Sequence, residues 1–179
     1  NAILKGAFEL LPGYGHGGGT ASEIIGVLQQ HLVYYRPHVV ILSLFENDIA
    51  GASATPTADT MIAKADKAAQ MCIAAGAIPI VLHTLPSFSI GGPRASVYDD
   101  LRTGILNINN RVPGAIGLDP GNFYLDTSNG ATPRAPLPGW ADTTVHPLEG
   151  TRAGYARAAN CMAAVDSRGY LMLLALRQG

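Results

Sequence analysis

The run His-Val-Val-Ile-Leu-Ser-Leu-Phe at 38–45 limits the folds open to this chain more than any other stretch. It is β-branched and aliphatic almost throughout. It does not alternate between apolar and polar residues. Such a run suits a strand covered on both faces, not one with a wet side. A second run, Ile-Pro-Ile-Val-Leu at 78–82, reads the same way. Around these strands, apolar residues recur at helical spacing. Ile24, Leu28, Leu32 and Tyr35 form one set, and Met61, Ala65, Ala68 and Cys72 the next. Val97, Leu101, Ile105 and Ile108 form a third, and Tyr155, Ala159, Met162 and Val165 a fourth. Residues 8–11 and 123–126 read as shorter strands. Helices alternating with buried strands predict a single three-layer α/β domain around a parallel sheet. A chain of 179 residues fits one such domain and is long enough to bury a proper core.

Local signals place the boundaries. Thr20-Ala21-Ser22-Glu23 is a capping box opening the first helix. Arg36-Pro37 ends that helix, because the residue before a proline disfavours helical backbone. Gly76 is placed to terminate the second helix, and Gly169 closes the last. Residues 46–56, 83–95 and 112–121 read as loops or turns, and 127–147 as a long irregular loop of the kind that usually serves function. A last apolar run, 170–176, follows.

Composition excludes several partners. A formal net charge of -1 offers no electrostatic case for nucleic acid or an anionic membrane. No apolar run reaches the roughly 18 residues needed to span a bilayer. Cys72 and Cys161 both fall in helical patterns and read as buried small hydrophobes, with a disulfide as the alternative. Neither lies in a metal-ligand spacing, and no cofactor is implied.

In parallel sheets the ligand site gathers in loops at the carboxyl ends of strands. Three stretches have that address or lead into a helix there. Gly17-Gly18-Gly19-Thr20 precedes the first helix, Glu46-Asn47-Asp48 follows the 38–45 strand, and Asp142-Thr-Thr-Val-His146-Pro147 follows the 123–126 strand. His146, in a loop with an acid four residues before it, is a candidate general base. Each stretch also has a plain reading. The glycines suit a turn before a capped helix, Asn47 and Asp48 suit a turn after a strand, and His146 suits a surface histidine. Their order and joint placement favour a site. His16, His31, His38 and His83 have no comparable companions. Trp140 and Tyr14 sit in candidate site loops and suit either substrate contact or packing.

These residues resemble the motifs of the SGNH, or GDSL, hydrolases, a family of esterases and lipases. Gly18 in Gly18-Gly19-Thr20 is similar to that family's second block, Asn47 in Phe45-Glu46-Asn47-Asp48 to its third, and His146-Pro147 to its last. The likeness runs from about Gly13 to Val165. It implies a three-layer α/β/α sandwich with a parallel, flavodoxin-like sheet and a serine esterase acting through an acyl-enzyme. It assigns His146 as base, Asp142 as its partner, and Gly18 and Asn47 as oxyanion-hole donors. It implies a small-molecule or carbohydrate ester as substrate, and it favours a secreted or extracellular location. Specificity would reside in loops 83–95 and 127–141.

The chain departs from the family pattern in three places. No Gly-Asp-Ser block precedes Gly18, Phe45 stands where the third block usually has glycine, and Thr143 stands where the acid usually lies three residues before the histidine; a one-residue loop adjustment would bring Asp142 to the imidazole, and Thr143, which would orient the ring without charge, is the alternative. Ser22 reads as a helix's first turn, Ser43 as the inside of a buried strand and Ser167 as a helix end; Ser87 and Ser89 follow a strand on the right side of the sheet, a minor alternative because neither sits on a recognisable nucleophile turn. The serine is therefore expected from a segment upstream of Asn1 of the same gene product, together with the first strand of the sheet. Without that strand its neighbours would carry unpaired edges and exposed apolar faces. Pairing of the 170–176 tail in its place is a second expectation. The competing function is an SGNH-like binding or structural module, possibly glycan-binding, that has lost the nucleophile.

Overall fold

The computed structural model of the chain describes residues 18–50, 57–84 and 93–119. Four α-helices and three strands are found there: α1 (Ala21–Tyr35), β1 (Val39–Ser43), α2 (Glu46–Ala50), α3 (Ala58–Ala74), β2 (Ile78–Leu82), α4 (Pro93–Leu106) and β3 (Ile116–Leu118). A single 3-10 turn, Ile108–Asn110, leads from α4 towards β3.

The strands form a parallel sheet in the order β1-β2-β3. Connections β1-α3-β2 and β2-α4-β3 step in one direction, so right-handed crossovers place α3 and α4 on the same face. The contacts agree: α3 packs on α1, α4 and β2, and α4 packs on β3. The described helices thus make one layer against one side of the sheet. The helix expected from Tyr155 to Val165, the short strand at 123–126 and the apolar run 170–176 lie outside the described residues.

The core lies between that helix layer and the sheet. Leu42 and Val81, partners in register, face it at 4% and 0% exposure. Ile25, Leu28 and Leu32 of α1 enter the same cluster, with Met61, Ala65, Ala68 and Cys72 of α3 and Leu101 and Ile105 of α4. Most of these are positions singled out by helical periodicity, but Ile25 takes the core place expected of Ile24, which with Val97 is only partly buried, and Tyr35 is half-buried. Alanine at 65, 68 and 69 leaves α3 slim enough to pack against helices on both sides. Cys72 has a free thiol, and burial pushes its pKa up to about 11.

Helix ends follow the local signals. The Glu23 carboxylate accepts from both the Thr20 N–H and the Thr20 hydroxyl, in the expected capping box. Arg36 closes α1 in the left-handed region, its N–H donating to the Leu32 carbonyl at 3.0 Å. Gly76, at φ 81°, follows α3 where a left-handed residue is wanted.

Several expectations need correction. Residues 46–50, expected in a loop, form the short helix α2. Three turn-rich residues, 116–118, form β3. A segment that short shows no period of its own, and only pairing with β2 makes it a strand. Helix α4 begins at Pro93, before its first apolar marker, because the missing N–H of proline costs nothing at a helix start. The 38–45 run was expected to be covered on both faces. Only Val39–Ser43 is strand, and Ile41 is 52% exposed, with Ser43 exposed beside it. The reason is position: among the described residues β1 is the sheet's edge.

Gly117 stands opposite Val81 in the register and close beneath the end of α4. A methyl group there would overlap the Ile105 backbone carbonyl, which cannot swing away as a side chain could. Gly117→Ala should therefore destabilise the fold by roughly 3 kcal/mol. Urea unfolding of the two proteins checks this; a change under about 0.5 kcal/mol would show that α4 and β3 do not meet so closely.

Candidate active site

At the carboxyl end of β1 the chain passes through the fully buried pair Leu44 and Phe45 into α2. Phe45 is a core residue at 0% exposure, so the position usually held by glycine in the resembled motif is spent here on packing. The next three residues are all bonded outward. Glu46 accepts a hydrogen bond from the Ser43 hydroxyl at 2.9 Å. The Asn47 side-chain Nδ2 donates to the Gly19 carbonyl at 3.0 Å. Asp48 Oδ2 accepts from the Ala21 N–H at 2.7 Å, and its Oδ1 pairs with Lys64 Nζ of α3 at 3.2 Å.

The glycine loop ahead of α1 is thereby held against α2. Gly18 is exposed and takes φ 75°, a left-handed conformation that side chains disfavour. Gly19 is buried and supplies the carbonyl that orients Asn47. Ala21 is the first residue of α1, so its N–H has no partner within the helix. Asp48 fills that need from 27 positions away and sets a negative charge at the positive end of the helix dipole.

An amide NH2 has two hydrogens. The bond to Gly19 occupies one and fixes which side of the Asn47 amide is nitrogen. The second can serve an oxygen brought to the mouth of this loop. The Asn47 side chain is thus brought against the loop in which Gly18 stands. His146 and Asp142 lie outside the described residues. Among the described residues no group of three or more His, Cys, Asp or Glu side chains could hold a metal ion.

Two residues carry weight that sequence reasoning did not give them. Lys64 falls between the apolar markers Met61, Ala65 and Ala68, and a cation on the flank of a buried helix face was the available signal. His83 follows β2 directly and is wholly buried, its ring edge-on to Tyr98 at 4.2 Å between centroids. Among the described residues neither ring nitrogen has a hydrogen-bond partner, nor does the neighbouring Thr84 hydroxyl. Burial, with a smaller contribution from the Arg102 charge, pushes the His83 pKa down to about 3. Arg102 itself pairs with Asp119 at the end of β3. The signal for His83 was its place at the end of a buried apolar run, where a histidine is either exposed in a loop or drawn into the core.

No protein-family model and no curated protein matches the sequence. Solved structures do match. A provisionally assigned acylhydrolase of Bacteroides fragilis superposes with a TM-score of 0.65 at 18% identity, over 94% of this chain and 78% of its own. A GDSL-like lipase of Bacteroides thetaiotaomicron gives 0.60 at 16% identity, over 85% and 73%. The psychrotrophic esterase EstA of a Pseudoalteromonas species, inhibited by monoethylphosphonate, gives 0.57 at 16% identity, over 84% and 73%. At such identities the likeness is one of fold. The chain has the α/β fold of the SGNH hydrolases, with a parallel open sheet.

His83 makes a pH prediction. Its ring is neutral when folded, with a pKa near 3, while in the unfolded chain it returns to about 6.5. Between those values the unfolded state binds the proton that the folded state excludes. Stability is then complete above the unfolded value and falls as pH drops, with a slope approaching ~1.4 kcal/mol per unit. Urea midpoints measured from pH 7 to pH 4.5 should decline more steeply for the wild type than for His83→Phe. Equal slopes would show that the imidazole is not held neutral.

Proposed function

We propose that this chain forms the body of a serine esterase of SGNH type that hydrolyses acyl or acetyl esters through an acyl-enzyme. One observation carries the reading: the Asn47 amide is locked on the Gly19 carbonyl beside the left-handed Gly18, at the carboxyl end of a parallel strand. The fold is shared with structures named as an esterase and a GDSL-like lipase, which supports it.

Ester hydrolysis through a serine makes three demands. The hydroxyl proton must be taken as the oxygen attacks, and His146 is the proposed base. The imidazole must present the correct nitrogen, and Asp142 is the proposed partner for the other one. The carbonyl oxygen gains negative charge, and the Gly18 N–H with the free Nδ2 hydrogen of Asn47 are the proposed donors. The alcohol then leaves with the proton from His146, and water, activated by the same base, releases the acid.

The nucleophile is proposed to come from a Gly-Asp-Ser segment encoded upstream of Asn1. Of the three described serines, Ser22 lies in the first turn of α1, Ser43 donates its hydroxyl hydrogen to Glu46, and Ser96 lies in the first turn of α4. The outer edge of β1, which has no strand partner among the described residues, offers the place where the strand carrying such a segment would pair.

The full-length product should hydrolyse p-nitrophenyl acetate. His146→Ala should abolish turnover, and Asn47→Ala should lower kcat by ~10²–10³. Undiminished hydrolysis by His146→Ala would refute the assigned base. A folded full-length protein that binds glycans without hydrolysing esters would favour the binding-module reading instead.

A further inference from the structure

Asn47 and Asp48 are consecutive, and they grip the same loop from two sides. Asn47 donates to the Gly19 carbonyl, and Asp48 accepts from the Ala21 N–H two residues further on. One contact takes an acceptor and the next takes a donor, so the loop can neither slide nor turn over without breaking one of them. The Asp48 carboxylate is only 6% exposed, and Lys64 reaches it from α3 to balance the charge. Three segments that are far apart in sequence, at 18–21, 47–48 and 64, therefore meet at one carboxylate.

We propose that Asp48, paired with Lys64, is the positioning residue of the oxyanion site. It sets the distance between the Gly18–Thr20 loop and Asn47, and so the direction of the free Asn47 Nδ2 hydrogen. The proposal rests on the esterase reading for its catalytic consequence but not for its geometry. Asp48 itself touches no substrate atom. Its effect comes through the Ala21 N–H, which has no helical partner, and through the peptide next to Gly19. An oxyanion donor acts only when it is already aimed at the developing charge. Loosening the loop should thus reduce kcat and leave substrate binding nearly intact.

Two variants and one control separate this from general stability. In full-length protein, Asp48→Ala should lower kcat for p-nitrophenyl acetate by roughly tenfold to a hundredfold, below the loss from removing a donor outright. KM should stay within about twofold. Asp48→Asn keeps an oxygen to accept the Ala21 N–H and should recover most of that loss. Asp66→Asn removes a different α3 ion pair, the bidentate contact with Arg111, and should leave kcat unchanged.

A second readout needs no catalysis. In the wild type the NMR resonance of the Asn47 Nδ2 hydrogen bonded to the Gly19 carbonyl should be shifted downfield from an exposed side-chain amide, and the Ala21 amide should exchange slowly. Asp48→Ala should move the first back towards the exposed position and speed the second, while amides of β2 stay protected. Unchanged Asn47 resonances and Ala21 exchange in folded Asp48→Ala would overturn the proposal. So would an equal fall in kcat for Asp48→Ala and Asp66→Asn. Absence of esterase activity in the full-length wild type would sink the esterase reading alone, and the NMR comparison would still decide the positioning role.

Discussion

A single buried carboxylate holds the working end of this fold together. Asp48 needs partners because an ionised side chain removed from water costs several kcal/mol unless it is paired and hydrogen-bonded. Both of its oxygens find them, one in a backbone N–H of α1 and one in the Lys64 ammonium. A hydrogen bond to a charged group contributes about 1.5–3 kcal/mol, more than a neutral one. The need of the helix start for an acceptor and the need of the carboxylate for donors are met by the same contact. The position of the glycine loop follows from it.

The sheet supplies the frame on which that contact is made. Parallel strands in the order β1-β2-β3 put every carboxyl end on one side. Asn47, His83 and Asp119 all follow strands directly or after a short passage, and so collect at that side. Their environments differ sharply. Asn47 is half-buried and gives an amide hydrogen to Gly19, whereas His83 is sealed against Tyr98 and held neutral. A histidine in that state is a poor proton carrier near neutral pH, because it gives up its charge too readily.

Much of the fold is legible in the residues. Leu28 and Leu32 of α1, all four markers of α3, and Leu101 and Ile105 of α4 are core side chains, and β2 has the bounds its apolar run predicts. Two elements were not legible. Helix α2 is five residues long and β3 three, too short for either period to show, and each exists because of what it packs against or pairs with. Ser43 sits in an apolar run yet is exposed, since burial of a strand depends on what lies beside it in the sheet.

The site divides in the same way. Local chemistry was enough to mark Gly17–Gly19 as a turn before a capped helix and Asn47 as a strand-end polar residue, because such preferences act within a few residues. That order and spacing also carried the resemblance to SGNH hydrolases, which the fold comparisons support. Only the tertiary structure joined Asn47 to Gly19, Asp48 to Ala21 and Lys64 to Asp48, across 28, 27 and 16 positions. A hydrogen bond depends on distance and direction in space, and no periodicity along a chain encodes which distant backbone group a side chain will meet.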